Sequence, residues 1–218
     1  MSLDDEKRLA AEAAAELVES GMMLGLGTGS TVAHLLPAVA RRGLTGLRCV
    51  ATSVATEDQA RSLGIPVEGF DRLGRLDIAI DGTDEVTPDG WLIKGGGGAH
   101  LREKVVAAAA ERFVVIGDSS KPVDAFRWPV PLELLAFGLA STLARLGDDV
   151  ELREAPPSPD GGVIADYRGA IPEDPVELAT WLDADPGVAA HGLFPASMVS
   201  EVIVGRGDQV ERIEPGGS

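Results

Sequence analysis

The chain has 218 residues, of which 44% are hydrophobic and 25% are charged, as in an ordinary globular protein. This composition excludes collagen-like, low-complexity and disordered chains. The 19 basic and 35 acidic residues give a net charge of -16, which repels polyanions and argues against nucleic-acid binding. The acidic start, MSLDDEKR, differs from a secretory signal, and the longest apolar stretch is too short to span a bilayer. The single cysteine, Cys49, suits a reducing compartment, so we expect a cytoplasmic protein without a membrane partner.

In the first half of the chain, short apolar runs alternate with helical periodicity. Residues 4–20 carry apolar side chains at helical spacing, which predicts the first helix. Further predicted helices cover 32–41, 56–64 and 101–111, and predicted strands cover 22–26, 47–51, 65–67, 76–80 and 113–116. Strands that alternate with helices through short connections predict an α/β fold with a mostly parallel, Rossmann-like sheet and helices on both faces.

The sequence pattern changes after about Trp128, where frequent prolines divide the chain into shorter units. We expect an α/β domain over residues 1–128 and a smaller α+β domain over 129–199. Within the smaller domain, the pattern predicts a helix over 131–146, strands over 150–153 and 163–167, and a helix over 175–182. A final apolar strand is predicted over 199–204, and it could join the sheet of either domain. We expect residues from about 200 to 218 to rejoin the first domain.

A glycine-rich loop, Gly25 to Thr31, lies where a predicted strand passes into a predicted helix. Backbone N–H groups and hydroxyls converge there on a helix N-terminus, which suits a phosphate. The loop lacks the lysine of a P-loop, and no acidic residue lies near 51–53 to hold an adenosine ribose, so ATP and NAD are disfavoured. The alternative is a tight turn with a capping hydroxyl.

Three acidic residues, Asp81, Asp84 and Glu85, follow an apolar strand. Open α/β sheets bind their ligands at the carboxyl ends of the strands. Mutual repulsion and burial would raise the pKa of at least one carboxyl group, which could then serve as an acid or a base. A divalent cation site and a simple turn with a helix cap are the alternatives.

Four consecutive glycines, Gly95 to Gly98, follow Lys94. So many glycines are entropically costly, and close approach of the backbone to a ligand is a better explanation than an ordinary turn. Glu103 opens the next helix and could point back over this loop, or it could simply match the helix dipole. Lys121 ends a later strand at the same edge, as a solvated loop residue also would. The three histidines have no metal-ligand or triad spacing, so they form neither a metal site nor a nucleophile constellation.

Five motifs occur together in one order along the chain. They are GLGTGST at 25–31, TSVATE at 52–57, DGTDE at 81–85, KGGGGAHLREK at 94–104 and VIGDSSK at 115–121. In order and spacing they resemble the ribose-5-phosphate isomerases of type A, and segments 131–133 and 192–194 look like further landmarks of that family. The chain departs from the commoner pattern at Gly98, at His100 and Leu101, and at Gly162.

The resemblance implies an aldose–ketose isomerase that interconverts D-ribose 5-phosphate and D-ribulose 5-phosphate through an enediolate, in the non-oxidative pentose phosphate pathway. No metal or organic cofactor is implied, and the expected assembly is a homodimer or homotetramer. Glu103 would be the base, Lys94 would stabilise the oxyanion, and Asp81 and Asp84 would handle ring and hydroxyl protons. The residues expected to bind the sugar phosphate are Lys7, Thr28, Gly29, Ser30, Thr31, Asp81, Gly82, Thr83, Asp84, Lys94, Gly95, Gly96, Gly97 and Lys121.

Two other functions fit a fold of this kind. One is a regulatory module that binds a sugar phosphate without converting it. Such a regulator usually needs a DNA-binding segment, and the chain has neither a recognisable helix-turn-helix nor a basic face. The other is a different sugar-phosphate isomerase, or an amino-sugar phosphate deaminase, on the same scaffold.

Overall fold

The computed structural model describes residues 1–215 of the chain, which form six α-helices and thirteen strands. The helices are α1 Leu3–Ala15, α2 Ser30–Arg41, α3 Val54–Ser62, α4 His100–Ala108, α5 Leu139–Leu146 and α6 Val176–Ala184. The strands are β1 Met23–Leu26, β2 Arg48–Ala51, β3 Leu76–Gly82, β4 Glu85–Val86, β5 Leu92–Ile93, β6 Ala110–Asp118, β7 Val130–Leu134, β8 Val150–Leu152, β9 Val163–Tyr167, β10 Val188–His191, β11 Leu193–Phe194, β12 Glu201–Arg206 and β13 Gln209–Ile213.

The larger sheet has six strands in the order β13-β12-β6-β3-β1-β2. Its strands pair in parallel except at the edge, where β13 runs antiparallel to β12. Helices α1 and α2 cover one face, where Ala10, Ala14 and Leu35 pack in a core with β1 and β3. Helix α4 packs Val106 and Ala107 against the other face. The predicted mostly parallel sheet with helices on both faces is therefore confirmed.

The second sheet has four antiparallel strands in the order β10-β7-β9-β8. Helices α5 and α6 pack against it, and a core that includes Leu132, Leu146 and Leu182 fills the space between them. A small sheet of order β11-β5-β4 joins the two larger sheets, because β11 follows β10 after Gly192 and pairs with β5. Residues 216–218, which end the range expected to rejoin the first domain, lie outside the described residues.

Several predicted elements differ from the structure. The helix predicted over 131–146 is wrong, because Val130–Leu134 is the β7 strand and only Leu139–Leu146 is helical. All five residues of β7 are buried between neighbouring strands, and a short apolar run gives no periodicity that separates a buried strand from a helix. The strand predicted over 65–67 is only a bridge between Cys49 and Val67. Within residues 1–215, no helix combines the length and apolar character needed to cross a membrane.

Helix α1 is fixed to the sheet by a buried carboxylate, Glu6. It accepts hydrogen bonds from the N–H groups of Ser119 at 3.0 Å and Gly207 at 2.8 Å. These bonds, chiefly those from Ser119, lower the pKa of Glu6 to about 2. The backbone of α1 approaches β12 so closely that a Cβ atom at Gly205 would lie 2.0 Å from the carbonyl oxygen of Glu6. The contact between helix and sheet therefore requires glycine at this position.

Replacing that glycine, Gly205→Ala, is expected to lower the free energy of unfolding by about 1–3 kcal/mol, because helix and strand must move apart to admit the methyl group. Urea denaturation followed by circular dichroism measures the change. Gly74→Ala is the matched control: Gly74 is exposed, and its added Cβ atom would meet nothing within 4 Å. The control should stay within about 0.5 kcal/mol of the parent. Equal effects of the two substitutions would contradict the close contact.

Candidate active site

A cleft of about 500 Å³, including its open mouth, lies at the carboxyl ends of β1 and β3. This is the end of a parallel sheet at which ligands bind. Apart from Asp81 and Lys7, every residue predicted to bind the sugar phosphate lines the cleft, together with Glu103. The cleft is lined by Thr28, Gly29, Ser30, Thr31, Gly82, Thr83, Asp84, Lys94, Gly95, Gly96, Gly97, Glu103 and Lys121.

One end of the cleft is formed by the N-terminus of α2. Gly29 precedes the helix with φ of +118°, a backbone conformation that favours glycine, and no side chain caps the helix within the described residues. The leading N–H groups of the helix are therefore open to a ligand, and the helix dipole favours an anion there. The side chain of Thr28 is held by Thr52, whose hydroxyl oxygen lies 2.7 Å from that of Thr28.

Asp81, at the end of β3, lies under the loop from Gly25 to Thr31. Its Oδ1 atom accepts hydrogen bonds from the N–H groups of Thr28 at 2.9 Å and Gly82 at 2.7 Å. Its Oδ2 atom lies 3.0 Å from the ammonium of Lys94. A Cβ atom at Gly27 would lie 1.9 Å from Oδ1, so only glycine there leaves room for the carboxylate. Asp81 is thus fixed in place at the floor of the site.

Lys94 and Glu103 meet at the centre of the cleft. Lys94 follows β5, which is hydrogen-bonded into the small sheet, and Glu103 lies in the first turn of α4. The ammonium of Lys94 lies 3.5 Å from Oε2 of Glu103 and donates a hydrogen bond to the carbonyl oxygen of Gly82. Lys94 is only 2% exposed and Glu103 only 5%. Oε2 of Glu103 has no hydrogen-bond partner among residues 1–215, so its lone pairs are free to accept a proton.

Burial and mutual charge shift the pKa values of all three groups. Burial of Glu103 away from water is the larger cause and repulsion from Asp81 the smaller, and together they raise the pKa of Glu103 to about 8. The ammonium of Lys94 opposes this shift. Burial also raises the pKa of Asp81, against the lowering effect of Lys94. Burial alone would lower the pKa of Lys94, but the two carboxylates reverse this and raise it above its ordinary value. The site therefore combines a carboxyl group that titrates near neutrality with a persistent positive charge.

The other two acidic residues of the DGTDE motif have different surroundings. Asp84 lines the cleft, and its Oδ2 atom accepts a hydrogen bond from the N–H group of Gly96 at 2.7 Å. Glu85 is buried and accepts from the N–H groups of Arg127 at 2.8 Å and Trp128 at 3.1 Å. Asp84 can therefore reach a ligand in the cleft, whereas Glu85 anchors the segment that leads to the second sheet.

The loop of four glycines from Gly95 to Gly98, the glycine loop, is held from its outer side by Arg153, which follows β8. The guanidinium Nη1 atom donates to the carbonyl oxygens of Gly95 and Gly96, both at 3.0 Å. Asp166 binds the same guanidinium through both of its carboxylate oxygens. No sequence signal points to Arg153, since a lone arginine beyond a predicted strand resembles any surface residue.

The two flanking lysines lie in different places. Lys121 lines the cleft. Lys7 does not line it, and its ammonium lies 3.9 Å from the carboxylate of Asp118. Another lysine, Lys104, lies outside the cleft with its ammonium 5.0 Å from the ring centre of Phe194, and burial lowers the pKa of Lys104 to about 8. No cluster of three or more potential metal ligands occurs among residues 1–215.

Comparison with known proteins identifies the family. The family described as ribose 5-phosphate isomerase A (phosphoriboisomerase A) matches residues 48–209. Ribose-5-phosphate isomerase A of Caulobacter vibrioides is 45% identical to the chain, covering 99% of it and all of the relative. The crystal structure of ribose 5-phosphate isomerase A from Neisseria gonorrhoeae covers 99% of each chain, with a TM-score of 0.94 and 33% identity.

A further solved structure, a D-ribose-5-phosphate isomerase described in complex with phospho-erythronic acid, is also similar. It has a TM-score of 0.91 and 32% identity, and the match covers 98% of this chain and all of that one. Sequence and structure thus agree over almost the whole length of the chain, which confirms the predicted resemblance. The chain belongs to the ribose 5-phosphate isomerase A family.

Proposed function

We propose that the chain is an aldose–ketose isomerase that interconverts D-ribose 5-phosphate and D-ribulose 5-phosphate, a step of the non-oxidative pentose phosphate pathway. The observation that carries this proposal is the buried cluster of Lys94, Glu103 and Asp81, in which Lys94 and Glu103 line the same cleft as an uncapped helix N-terminus and Asp81 lies directly beneath them. The cluster supplies a base and a charge for an oxyanion, and the helix end supplies a phosphate site. Family membership supports the same substrate pair.

Glu103 is the general base in this mechanism. Its carboxylate takes the proton from C2 of the open-chain aldose, and the C–H electron pair forms the C1–C2 double bond while the carbonyl electrons move to O1. A proton then passes between the two oxygens, and Glu103 returns its own proton to C1 to give the ketose. A pKa of about 8 makes Glu103 a stronger base than an exposed glutamate. It still ionises close to neutral pH.

Lys94 stabilises the negative charge that develops on the oxygens. Its ammonium is fixed by the carbonyl group of Gly82 and by Asp81, so it does not need to reorganise as charge develops. The segment Gly95 to Gly97 lines the cleft, and the N–H group of Gly97, which has no acceptor among residues 1–215, adds a hydrogen-bond donor. The weakly acidic C2 proton becomes removable because the resulting oxyanion has these partners.

Asp81 and Asp84 handle the protons of ring opening and of the hydroxyl groups. Both stand close to the reacting end of the cleft, since Asp81 contacts Lys94 and Asp84 contacts Gly96. The phosphate binds at the other end, on Gly29, Ser30 and Thr31 with the hydroxyl of Thr28. Lys121 contributes its charge at the cleft, and Lys7 contributes charge from outside it. The proposed reaction requires neither a metal nor an organic cofactor.

Assembly and location are part of the same proposal. The chain forms a homodimer or homotetramer, which exposed apolar side chains in the second half support: Phe137 is 94% exposed, and Leu135 and Trp181 are each more than 40% exposed. Residues 1–128 with about 200–218 form the catalytic domain, and residues 129–199 form the smaller one. The enzyme works in the cytoplasm, where the lone thiol of Cys49 stays reduced. Sedimentation measures the size of the assembly.

A coupled assay on ribose 5-phosphate, run with and without EDTA, tests the function. Ketose formation that survives exhaustive chelation is the expected result. Binding without turnover would instead identify a sugar-phosphate sensor, and ammonia release from an amino-sugar phosphate would identify a deaminase. Activity lost with EDTA and restored by magnesium or manganese would overturn the metal-free mechanism.

Substitution of the base, Glu103→Gln, is expected to lower kcat about 10²- to 10⁴-fold, because glutamine keeps the size of the side chain but cannot accept the C2 proton. Binding of ribose 5-phosphate should remain nearly intact. Steady-state kinetics and a direct binding titration measure the two effects. Glu111→Gln is the control, since Glu111 is 59% exposed and its carboxylate pairs with Arg75. Exchange of the C2 proton with solvent at the parental rate would identify another residue as the base.

Substitution of the oxyanion partner, Lys94→Arg, should lower kcat about 10²-fold or more although the charge is preserved. The ammonium is enclosed by Asp81, Glu103 and the carbonyl group of Gly82, and a planar guanidinium does not fit this space. Binding of a non-reacting five-carbon sugar phosphate should change much less. Near-parental turnover would show that charge alone is sufficient, and an equal loss of binding would assign Lys94 to holding the substrate.

The raised pKa of Glu103 predicts a pH-dependent rate. A general base acts in its deprotonated form, so kcat/KM should rise with pH and level off above about pH 8. From pH 6.5 to 7.5 the rise should be roughly tenfold, in a range where the substrate phosphate is already mostly dianionic. Initial rates at constant ionic strength measure the profile. A flat profile between pH 6.5 and 8 would contradict the assignment of this pKa to the base.

A further inference from the structure

We propose that Arg153 is a positioning residue for isomerisation, whose guanidinium holds the carbonyl groups of Gly95 and Gly96 away from the cleft and so directs the N–H groups of Gly96 and Gly97 toward it. The inference rests on the proposed isomerase function. Arg153 does not line the cleft, so it acts through the loop and not on the substrate.

The guanidinium is itself rigidly held. Asp166 on β9 accepts from Nε at 2.7 Å and from Nη2 at 2.5 Å, which is the bidentate arrangement that best fixes an arginine. The side chain of Asp166 is 7% exposed and that of Arg153 is 20% exposed. The backbone N–H group of Arg153 also donates to the carbonyl oxygen of Ile164, at 3.0 Å. With both Nε and Nη2 bound to Asp166, Nη1 remains to bind the loop.

The direction of the loop N–H groups follows from peptide geometry. In a trans peptide the C=O and N–H bonds point in opposite directions, and no cis peptide bond occurs among the described residues. Because the carbonyls of Gly95 and Gly96 both face Arg153, the N–H groups of Gly96 and Gly97 face the opposite side. The N–H group of Gly96 accordingly reaches Asp84, at 2.7 Å. The N–H group of Gly97 has no acceptor within residues 1–215, so it is available to an oxyanion in the cleft.

The loop needs this external support because of its composition. Four consecutive glycines have many accessible backbone conformations, and Gly95 adopts φ of +105°. Inside the loop, the N–H group of Gly98 donates to the carbonyl oxygen of Gly95 at 3.0 Å. That bond closes a turn without fixing the peptide that joins Gly96 to Gly97. Arg153 contacts the carbonyl group of that peptide and selects one of its orientations.

The test compares the parent with Arg153→Ala, Arg153→Lys and Asp166→Asn. Arg153→Ala should lower kcat about 10- to 100-fold while KM changes by less than about threefold, because misplaced donors weaken stabilisation of the oxyanion more than binding of the substrate. Nitrogen-15 relaxation should show lower order parameters for the amides of Gly96 and Gly97. Arg153→Lys should rescue kcat only in part, because one ammonium cannot contact both loop carbonyls and both oxygens of Asp166.

Arg145→Ala is the matched control. Arg145 forms the same bidentate pair, with Asp185 at 2.7 and 2.8 Å, but contacts no part of the glycine loop. It should leave kcat and the loop amides unchanged. If Arg153→Ala does not fold, Arg153→Lys and Asp166→Asn test the proposal in its place, and each should lower kcat with little change in KM.

A parental kcat in the Arg153 variants, a rise in KM alone, or an equal loss in Arg145→Ala would overturn the proposal. An inactive parent would instead refute the isomerase function. The relaxation measurement would then still show whether Arg153 orders the loop.

Discussion

A positive charge buried between carboxylates organises this site. Lys94 is 2% exposed, and its ammonium lies 3.0 Å from Asp81 and 3.5 Å from Glu103. Removing such ions from water costs several kcal/mol each, and attraction between them often only offsets that cost. Packed apolar residues in place of a buried ion cluster are often as stable or more so, and stability is therefore a weak reason for these residues. Their chemistry does, because a carboxyl group with a raised pKa beside a fixed ammonium can accept a proton while the ammonium balances the charge that is left behind.

Gathering these charges in a small volume requires neighbours without side chains. A Cβ atom at Gly27 would lie 1.9 Å from Asp81, and one at Gly96 would lie 2.8 Å from Asp84. At Gly192, the added atom would lie 2.2 Å from the carbonyl oxygen of Lys94. The glycines of three separate motifs are thus explained by close approach to the charged residues or to their backbone. The motif pattern reflects the density of packing around Lys94 as much as any requirement for turns.

Local sequence was sufficient for β1, β2, β3 and β6 and for most of the cleft, because these strands are apolar runs and the motifs follow strands that end at one edge. It did not predict β13, and it left open which sheet β12 joins. The same criterion failed at 131–146, where pairing of β7 with β9 and β10, and not periodicity, decides the structure. Residue types also could not predict that Asp84 lines the cleft and that Glu85 does not, since the direction of each side chain depends on distant N–H groups. Arg153 was beyond local reasoning, because the loop carbonyls that it binds lie 58 and 57 residues away.

The two larger sheets contribute to the cleft in different ways. Every lining residue falls between 28 and 121, ahead of the second sheet, yet elements from the second half hold the parts that must not move. Gly192 accepts a hydrogen bond from the N–H group of Lys94 at 2.9 Å, Ile164 lies against Gly98, and Arg153 binds the loop carbonyls. A loop of four glycines can approach a ligand closely because it lacks side chains, and for the same reason it cannot fix its own conformation. Rigid support from a second sheet resolves that conflict, because it supplies the order that the loop lacks without placing any side chain in the space needed by the ligand.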